Sequence, residues 1–485
     1  MIQFGEWLPD QPQYNGGTTL AKNVLPSARG YDPLPSPTDI SDAASLYIRG
    51  TFAAQNNDLV YDLYAGTETK LLRFDRASGS LVDVSRTGGY ATGTENRWRF
   101  TQYGQRLIAA NYDDNIQTIP NSSTGDFSDL VSIKAKHVDV VGEFLITGYV
   151  NDTDGETPYR VRWSAIGDPT DFTVSQTTQA DFQDIPNGGA VTGIVGGGQV
   201  ATIMMERQIV RLKYAGLPVI FEVDITDQQR GCAYQGGFAN VGTAIYYLAH
   251  DGFYVYNGES SRPIGAERVN QWFFDRFNPA YANRLSCAAD PKNQVIAWAF
   301  ASNESDAGEP DLMLLYNYAV DQWSYAEISV DTLSSLLSSG YTLEQLDDFS
   351  TSLDAITVSL DSGQWEGGEL FFGGARDGKL ISFNGTPLTA TLETPEFEVA
   401  QGRHGLITEV HPYYDGIPDA IEVQCASRPR QNIAYSFNSA SSLNDAGFCP
   451  VRSQGRYHKI RMVLTGGEWS NAQGVAHVTR KMGRR

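Results

Sequence analysis

Seven times along this 485-residue chain an apolar stretch runs into a glycine-marked turn and then a second apolar stretch. The spacing of these copies constrains the fold more than any other feature. The clearest two are AIYYLAHDGFYVYNG (residues 244–258) and GELFFGGARDGKLISFNG (residues 368–385). Each supplies a strand, an Asp-Gly pair, a second strand and an Asn-Gly. Asp251-Gly252 and Asp377-Gly378 suit a type I′ turn, whose two central residues both take positive φ. Fainter copies begin near positions 59, 105, 143, 199 and 294. Intervals of roughly 40–55 residues, with one longer gap, match the period of a propeller blade. The expected fold is all-β, with a β-propeller of six or seven blades as its body.

Composition agrees with this expectation. Only 19% of residues are charged, and 48 glycines with 25 tyrosines and 22 phenylalanines imply many turns and many strands. The start, MIQFGEWLPD, lacks a basic region followed by an apolar one, so no signal peptide is expected. No apolar run approaches the length of a membrane helix. Cys232, Cys287, Cys425 and Cys449 show no CxxC spacing and read as reduced thiols.

Two segments interrupt the repeat. Residues 1–50 are proline-dense (WLPDQPQYNGG, YDPLPSPTDISDA) and read as an extended arm that wraps its own chain or reaches a neighbour. Residues 331–356 carry leucines at helical spacing, with Asp331 and Thr342 as cap candidates, and are expected to form two short helices inserted between blades. Trp163-Ser164 and Trp323-Ser324 read as one blade position used twice, with the indole filling the gap between adjacent sheets. The propeller is expected over residues 51–385. Beyond it, residues 386–485 lose the repeat and read as a β-sandwich-like platform or docking domain. Within that domain RYHKIRMVL (residues 456–464) alternates, setting Lys459 and Arg461 opposite Ile460, Met462 and Leu464.

GIVGGG (residues 193–198) lacks the Lys-Ser/Thr of a P-loop and reads as a glycine-rich turn. NDTDGE (residues 151–156) fits a hairpin loop better than a calcium loop. The six histidines stand apart, without HExxH or paired-His spacing. No nucleophile elbow is present. SLDSGQW (residues 359–365) falls one residue short of an Asp-box, which shapes a turn and performs no catalysis. No catalytic, metal-binding or cofactor-binding residue is assigned, no cofactor is expected, and the chain is read as a non-enzyme.

Charge is divided along the sequence. The net charge is −21, but residues 1–400 sum to −26 and residues 401–485 to +5. From Arg452 onward there are eight basic residues and one acidic residue. Arg452, Arg456, Lys459, Arg461, Arg480, Lys481, Arg484 and Arg485 are therefore the candidate docking surface.

The order of these features resembles one family. An arm is followed by YRVRWSAIGDPTDF, then RQIVRLKYAGLPVIFEVDITDQQRGCAYQGGFANVGTAIYYLAHDGFYVYNG, a TLEQLDDF insert, GRHGLITEVHP and a terminal VRSQGRYHKIRMVL…GRR. This order is similar to that of the tail nozzle (hub, or packaged-DNA stabilisation) proteins of short-tailed bacteriophages, from about Leu46 to the end. The resemblance implies a structural virion protein, made in the host cytoplasm, that forms a six-subunit ring below the portal and adaptor. It implies partners in the head-to-tail adaptor and in tail fibre or spike proteins, with DNA passing through a bore without specific binding. An acid-rich body fits a conduit, because Lys and Arg contacts to phosphate supply most non-specific DNA affinity. The alternative is a carbohydrate-binding or glycan-cleaving propeller of a tail fibre or cell surface. That reading needs exposed aromatics, or convergent Arg and carboxylates, at one propeller mouth.

Overall fold

A computed structural model of the protein describes residues 1–12, 16–44, 46–56, 60–120, 125–337, 370–399 and 403–481. Seven four-stranded antiparallel units follow one another as the blades of a β-propeller, six of them separate sheets and one part of a larger sheet. Blades 1 to 6 occupy residues 50–83, 99–131, 134–184, 191–227, 238–263 and 286–327. Blade 7 takes three strands, Thr332–Leu337, Leu370–Arg376 and Lys379–Pro387, from the end of the repeat. Its fourth strand, Pro35–Asp39, comes from the start of the chain.

All seven repeat copies mark the same place. The second strands of the blades begin at residues 61, 106, 144, 200, 244, 295 and 370, each within two residues of a copy's start. The first strand of each blade is innermost, and first strands pack against one another at six of the seven junctions around the ring. Six of the seven gaps between blades hold an apolar cluster of their own, and the gap between blades 5 and 6 shares the large cluster of the C-terminal unit. Tyr64 and Leu107 share the cluster between blades 1 and 2, and Leu72 shares one with Leu336 and Leu380 between blades 1 and 7. The middle strands are thus covered on both faces, and Val295–Phe300 is buried at every residue.

Asp377 (φ 52°) and Gly378 (φ 72°) form the expected two-residue turn between paired Arg376 and Lys379. The other hairpin differs. There Ala249 pairs with Gly252, so His250 and Asp251 occupy the turn and Asp251 is not at positive φ. Gly252 is required for a different reason. Its φ is 143°, and a Cβ there would lie 1.9 Å from the Asn270 side chain, which holds the turn by donating to the Asp251 carbonyl at 3.1 Å.

Three further expectations are corrected. Asp331 caps no helix. Thr332–Leu337 is the innermost strand of blade 7, because pairing with Leu370–Arg376 and burial of Leu333 and Leu336 outweigh local leucine spacing. The rest of the expected insert lies outside the described residues, as does SLDSGQW. The two Trp-Ser pairs occupy different strands: Trp163 ends the third strand of blade 3 and Trp323 is the second residue of the fourth strand of blade 6. Both indoles do fill a gap, Trp163 against Phe221 and Trp323 against Phe253.

The proline-dense segment enters a blade after all. Pro35–Asp39 lies at the outer edge of blade 7, where Pro37 pairs with Phe383 and Thr38 with Ser382. Proline has no N–H to give, and an outer strand has one edge that needs none. Asp39 fixes the end of this strand through Lys379 (2.6 Å) and Arg376 (3.2 Å).

The remaining arm residues stitch the propeller to a two-layer β unit. One layer contains Val24–Ser27, Gly30–Pro33, Glu468–Lys481, Gly405–Ile417 and Cys449–Gly455. In the other, Leu20–Lys22 pairs on one side with Gln322–Glu327 of blade 6 and on the other with Ala390–Glu393. Tyr457–Thr465 and Ala420–Arg428 continue that layer, so blade 6 and the C-terminal unit share one eleven-stranded sheet. Their cores merge as well, with Trp298, Trp323, Tyr31, Ile460 and Val475 in one cluster. Trp7 is 1% exposed and wedged against Trp272 (5.0 Å) and Tyr325 (5.2 Å).

Truncating Trp7 to Ala is expected to destabilise the chain by about 3–5 kcal/mol, as for other buried large aromatics. A chain lacking residues 1–39 loses both the closing strand and the stitch, and should lose its single cooperative melt. Calorimetry checks both outcomes. An unchanged transition would show that blades 1 and 7 close the ring without the N-terminal strand.

Candidate functional site

The candidate docking residues do not gather on one free face. Lys459 is 5% exposed, lies over Tyr435 (5.2 Å) and reaches the Thr19 hydroxyl at 3.4 Å. Burial holds its ammonium below the usual lysine range. Arg461 pairs with Glu393 (Nε to Oε1, 2.7 Å), donates to Gln424 and stacks over Phe437 at 3.9 Å. Arg456 is bound to Glu398 at 3.0 Å. The alternation is real, since Ile460, Met462 and Leu464 are fully buried, but the basic side is roofed by residues of the same chain.

Arg452 and Arg480 are exposed, and they lie in the other layer. Leu406 pairs with both Gln454 and Arg480, and Arg452 lies two residues along from Gln454, so the two arginines share a face. Lys481 ends the last strand, and Arg484 and Arg485 lie outside the described residues.

Sequence reading missed a different cationic site, on the propeller axis. The first strands of blades 1, 2, 5, 6 and 7 enclose a cavity of about 310 Å³, with Arg49, Arg97, Arg99, Asn240, Ser286 and Thr332 among its lining. No Asp or Glu is among the described lining residues. Arg97 and Arg99 flank Trp98 in NRWRF at the entry to blade 2, and a strand period of two sets them on the same side. That signal was present in the sequence but looked like an ordinary alternating strand.

The cations of this cavity differ in their partners. Arg49 is satisfied by the Thr92 and Gly93 carbonyls, both at 2.6 Å, and by Glu68 at 3.2 Å. Arg97 is 6% exposed; its Nε donates to the Asn283 carbonyl and Tyr47 is a hydrogen-bonding neighbour, yet its Nη1 is buried without a partner. The Arg99 Nη2 is also buried without a partner, and no described carboxylate pairs with this guanidinium. Burial, with a smaller contribution from the charge of Arg97, pulls the Arg99 pKa down to about 10. Gly236 (φ 79°) leaves room for it, because a Cβ there would lie 3.0 Å from Nη2.

The acids nearby are committed elsewhere. Asp331 accepts the Asp377 and Gly378 amides at 3.2 and 3.1 Å. His137, 3% exposed on the first strand of blade 3, has an unpartnered Nε2. Its pKa is held well below the usual 6.5 by burial, and further by the charges of Arg99 and Lys136.

NDTDGE forms the expected hairpin between Phe144–Asp152 and Gly155–Trp163. Its carboxylates serve an internal network: Arg160 binds Asp154 (2.7 Å) and Asp184 (2.8 Å), and Arg162 binds Asp152. GIVGGG runs from the end of Val191–Val195 into the connection before Val200–Met205. Cys232, Cys425 and Cys449 are buried free thiols, and Cys287 is partly buried.

No protein-family model and no curated protein matches the chain. Solved structures similar to it are distant. One is PorZ, described as an essential bacterial surface component of the type-IX secretion system of Porphyromonas gingivalis. It has 9% identity and a TM-score of 0.36, and the match covers 74% of this chain and 45% of PorZ. A chain of the mitotic checkpoint complex matches at 9% identity and a TM-score of 0.39, covering 74% of this chain and 96% of the other. YCF48 bound to D1 peptide matches at 8% identity and a TM-score of 0.33, covering 62% and 86%. At such values no function passes from them to this chain.

Two measurements test this electrostatic picture. Arg461→Glu should destabilise the C-terminal unit by about 3 kcal/mol, because Glu393, 8% exposed, then faces a like charge. The shift of the denaturation midpoint reads this out. His137, His458 and His477 all have pKa values lowered chiefly by burial. The unfolded chain therefore binds more protons, and stability should fall as pH drops below about 6.5. His137→Gln should reduce that pH slope by about one proton. An unchanged slope would mean that His137 titrates alike in the folded and unfolded chain.

Proposed function

We propose that this chain is a structural subunit of a bacteriophage tail, a nozzle or hub protein. Six copies form a ring below the portal and adaptor that closes the DNA exit channel and passes DNA at ejection. The observation that carries this reading is the double lock of the body. The N-terminal segment closes the propeller with Pro35–Asp39 and joins it to the C-terminal unit with Leu20–Lys22. A module bound at both ends by backbone pairing suits a part that must hold its shape under load, and the motif order of the sequence supports the same assignment.

DNA does not thread the propeller itself. An axial cavity of about 310 Å³ is too small for a duplex whose major groove alone is about 12 Å wide. The bore lies between subunits, where the −26 balance of residues 1–400 keeps phosphate from being held. Exposed Arg452 and Arg480 offer a positive face for an acidic neighbour such as the adaptor. Each exposed pair is worth only about 0–1 kcal/mol, so these charges orient the docking and apolar contact holds it. Tyr413 is the one exposed aromatic among the described residues, which disfavours a sugar-binding platform.

Native mass measurement should give a six-subunit ring, and duplex DNA should bind more weakly than micromolar at physiological salt. Arg452→Glu with Arg480→Glu should leave the fold and melting temperature unchanged while blocking incorporation into particles. A chain that stays monomeric at every concentration, or that grips duplex DNA tightly, would overturn the assignment.

A further inference from the structure

We infer that the axial cavity is a binding site for a small phosphoryl-type dianion, held by Arg97 and Arg99. Nothing in this inference depends on the tail assignment.

Two cationic side chains of the cavity lack compensating partners. Burying a guanidinium costs several kcal/mol unless a partner compensates it. Among the described residues the guanidinium groups of Arg160, Arg162 and Arg428 are neutralised by carboxylates, even though Arg162 Nε and Arg428 Nε also lack an acceptor. Arg160 has carboxylate partners at 2.7 and 2.8 Å, and Arg428 is paired with Glu396. The axial pair breaks that pattern. Arg97 Nη1 and Arg99 Nη2 are both enclosed without an acceptor, the two charges repel, and Arg284 and Arg49 add to the field at Arg97. Arginine does not escape by losing its proton near neutral pH.

The cavity is preformed by inner strands, and Gly236 keeps clear the space that Arg99 occupies. Its described lining offers hydroxyls and amides (Ser286, Thr332, Asn240) and no carboxylate to repel an anion. Planar guanidinium groups bind tetrahedral oxyanions by two parallel N–H bonds, which is why arginine dominates phosphate sites. A free phosphate leaves part of the 310 Å³ to water, whereas a phosphate ester uses more of it.

The test uses the full chain at constant ionic strength. Inorganic phosphate, sulfate and a nucleoside monophosphate are titrated separately by calorimetry, and melting is followed in each against chloride. One-to-one binding of phosphate or of the monophosphate, with a raised melting temperature, is expected. Whichever binds tighter identifies a free or an esterified ligand. Arg99→Gln and Arg97→Gln should each weaken binding by about tenfold or more. Arg99→Gln should also melt higher than the native chain in chloride, since it removes an unpaired buried charge. Arg452→Glu should bind like the native chain, which separates the axial site from general surface attraction. Absence of saturable binding, or equal affinity in Arg99→Gln and the native chain, would overturn the site.

Discussion

Between Pro35–Asp39 and Lys379–Pro387 the two ends of the repeat meet, and Asp39 reaches Lys379 across 340 residues of sequence. A propeller has no core of its own apart from the gaps between its blades. Each gap is filled only if both neighbouring sheets are held in place, and blade 7 has three strands until the N-terminal segment arrives. Closing so long a loop costs on the order of 5 kcal/mol in chain entropy. The cost is offset by burial that the closed ring alone allows, such as Ile48, Leu336 and Leu380 at the junction of blades 7 and 1. Proline density in the closing segment follows from its place. An outermost strand needs N–H groups on one side only, and prolines on the other side discourage pairing with a further chain.

Much of this architecture was legible because the signal was periodic. A hairpin marker recurring at the start of each second strand gave the blade count its upper value. The errors arose where local pattern and tertiary pairing disagree. Leu336 and Leu337 open a run of leucines whose spacing fits a helix, yet they lie on an inner strand that its neighbours cover and that tolerates the pattern. Prolines 33, 35 and 37 read as an arm because one sequence cannot show that an open strand edge waits 340 residues away. The Trp-Ser pairs looked alike because both indoles fill gaps between sheets, a demand that different strands of a blade can meet.

Charge was harder to read than fold. RYHKIRMVL alternates as a surface strand does, but alternation reports only that two faces differ. It does not report whether the polar face meets water or Glu393, Glu396 and Tyr435 of the same chain. Conversely, the alternating arginines of NRWRF stand out little in a chain whose first 400 residues carry a balance of −26. The acidic excess lies largely in loops and outer strands, while the axis is cationic. A net charge averages over these regions and hides the site where the two signs are separated.

The join between propeller and C-terminal unit sets how the molecule can move. Domains usually meet through a flexible linker and a modest interface, and then rock against each other. Here Leu20–Lys22 is hydrogen-bonded at once to blade 6 and to the C-terminal layer, and Trp7, Tyr31 and Trp323 belong to one apolar cluster spanning both. Rocking at this seam would break backbone pairing and open a core together, so motion is pushed outward to loops and free strand edges. A partner that pulls on the C-terminal unit therefore pulls on blade 6 directly, and through the closed ring on every other blade.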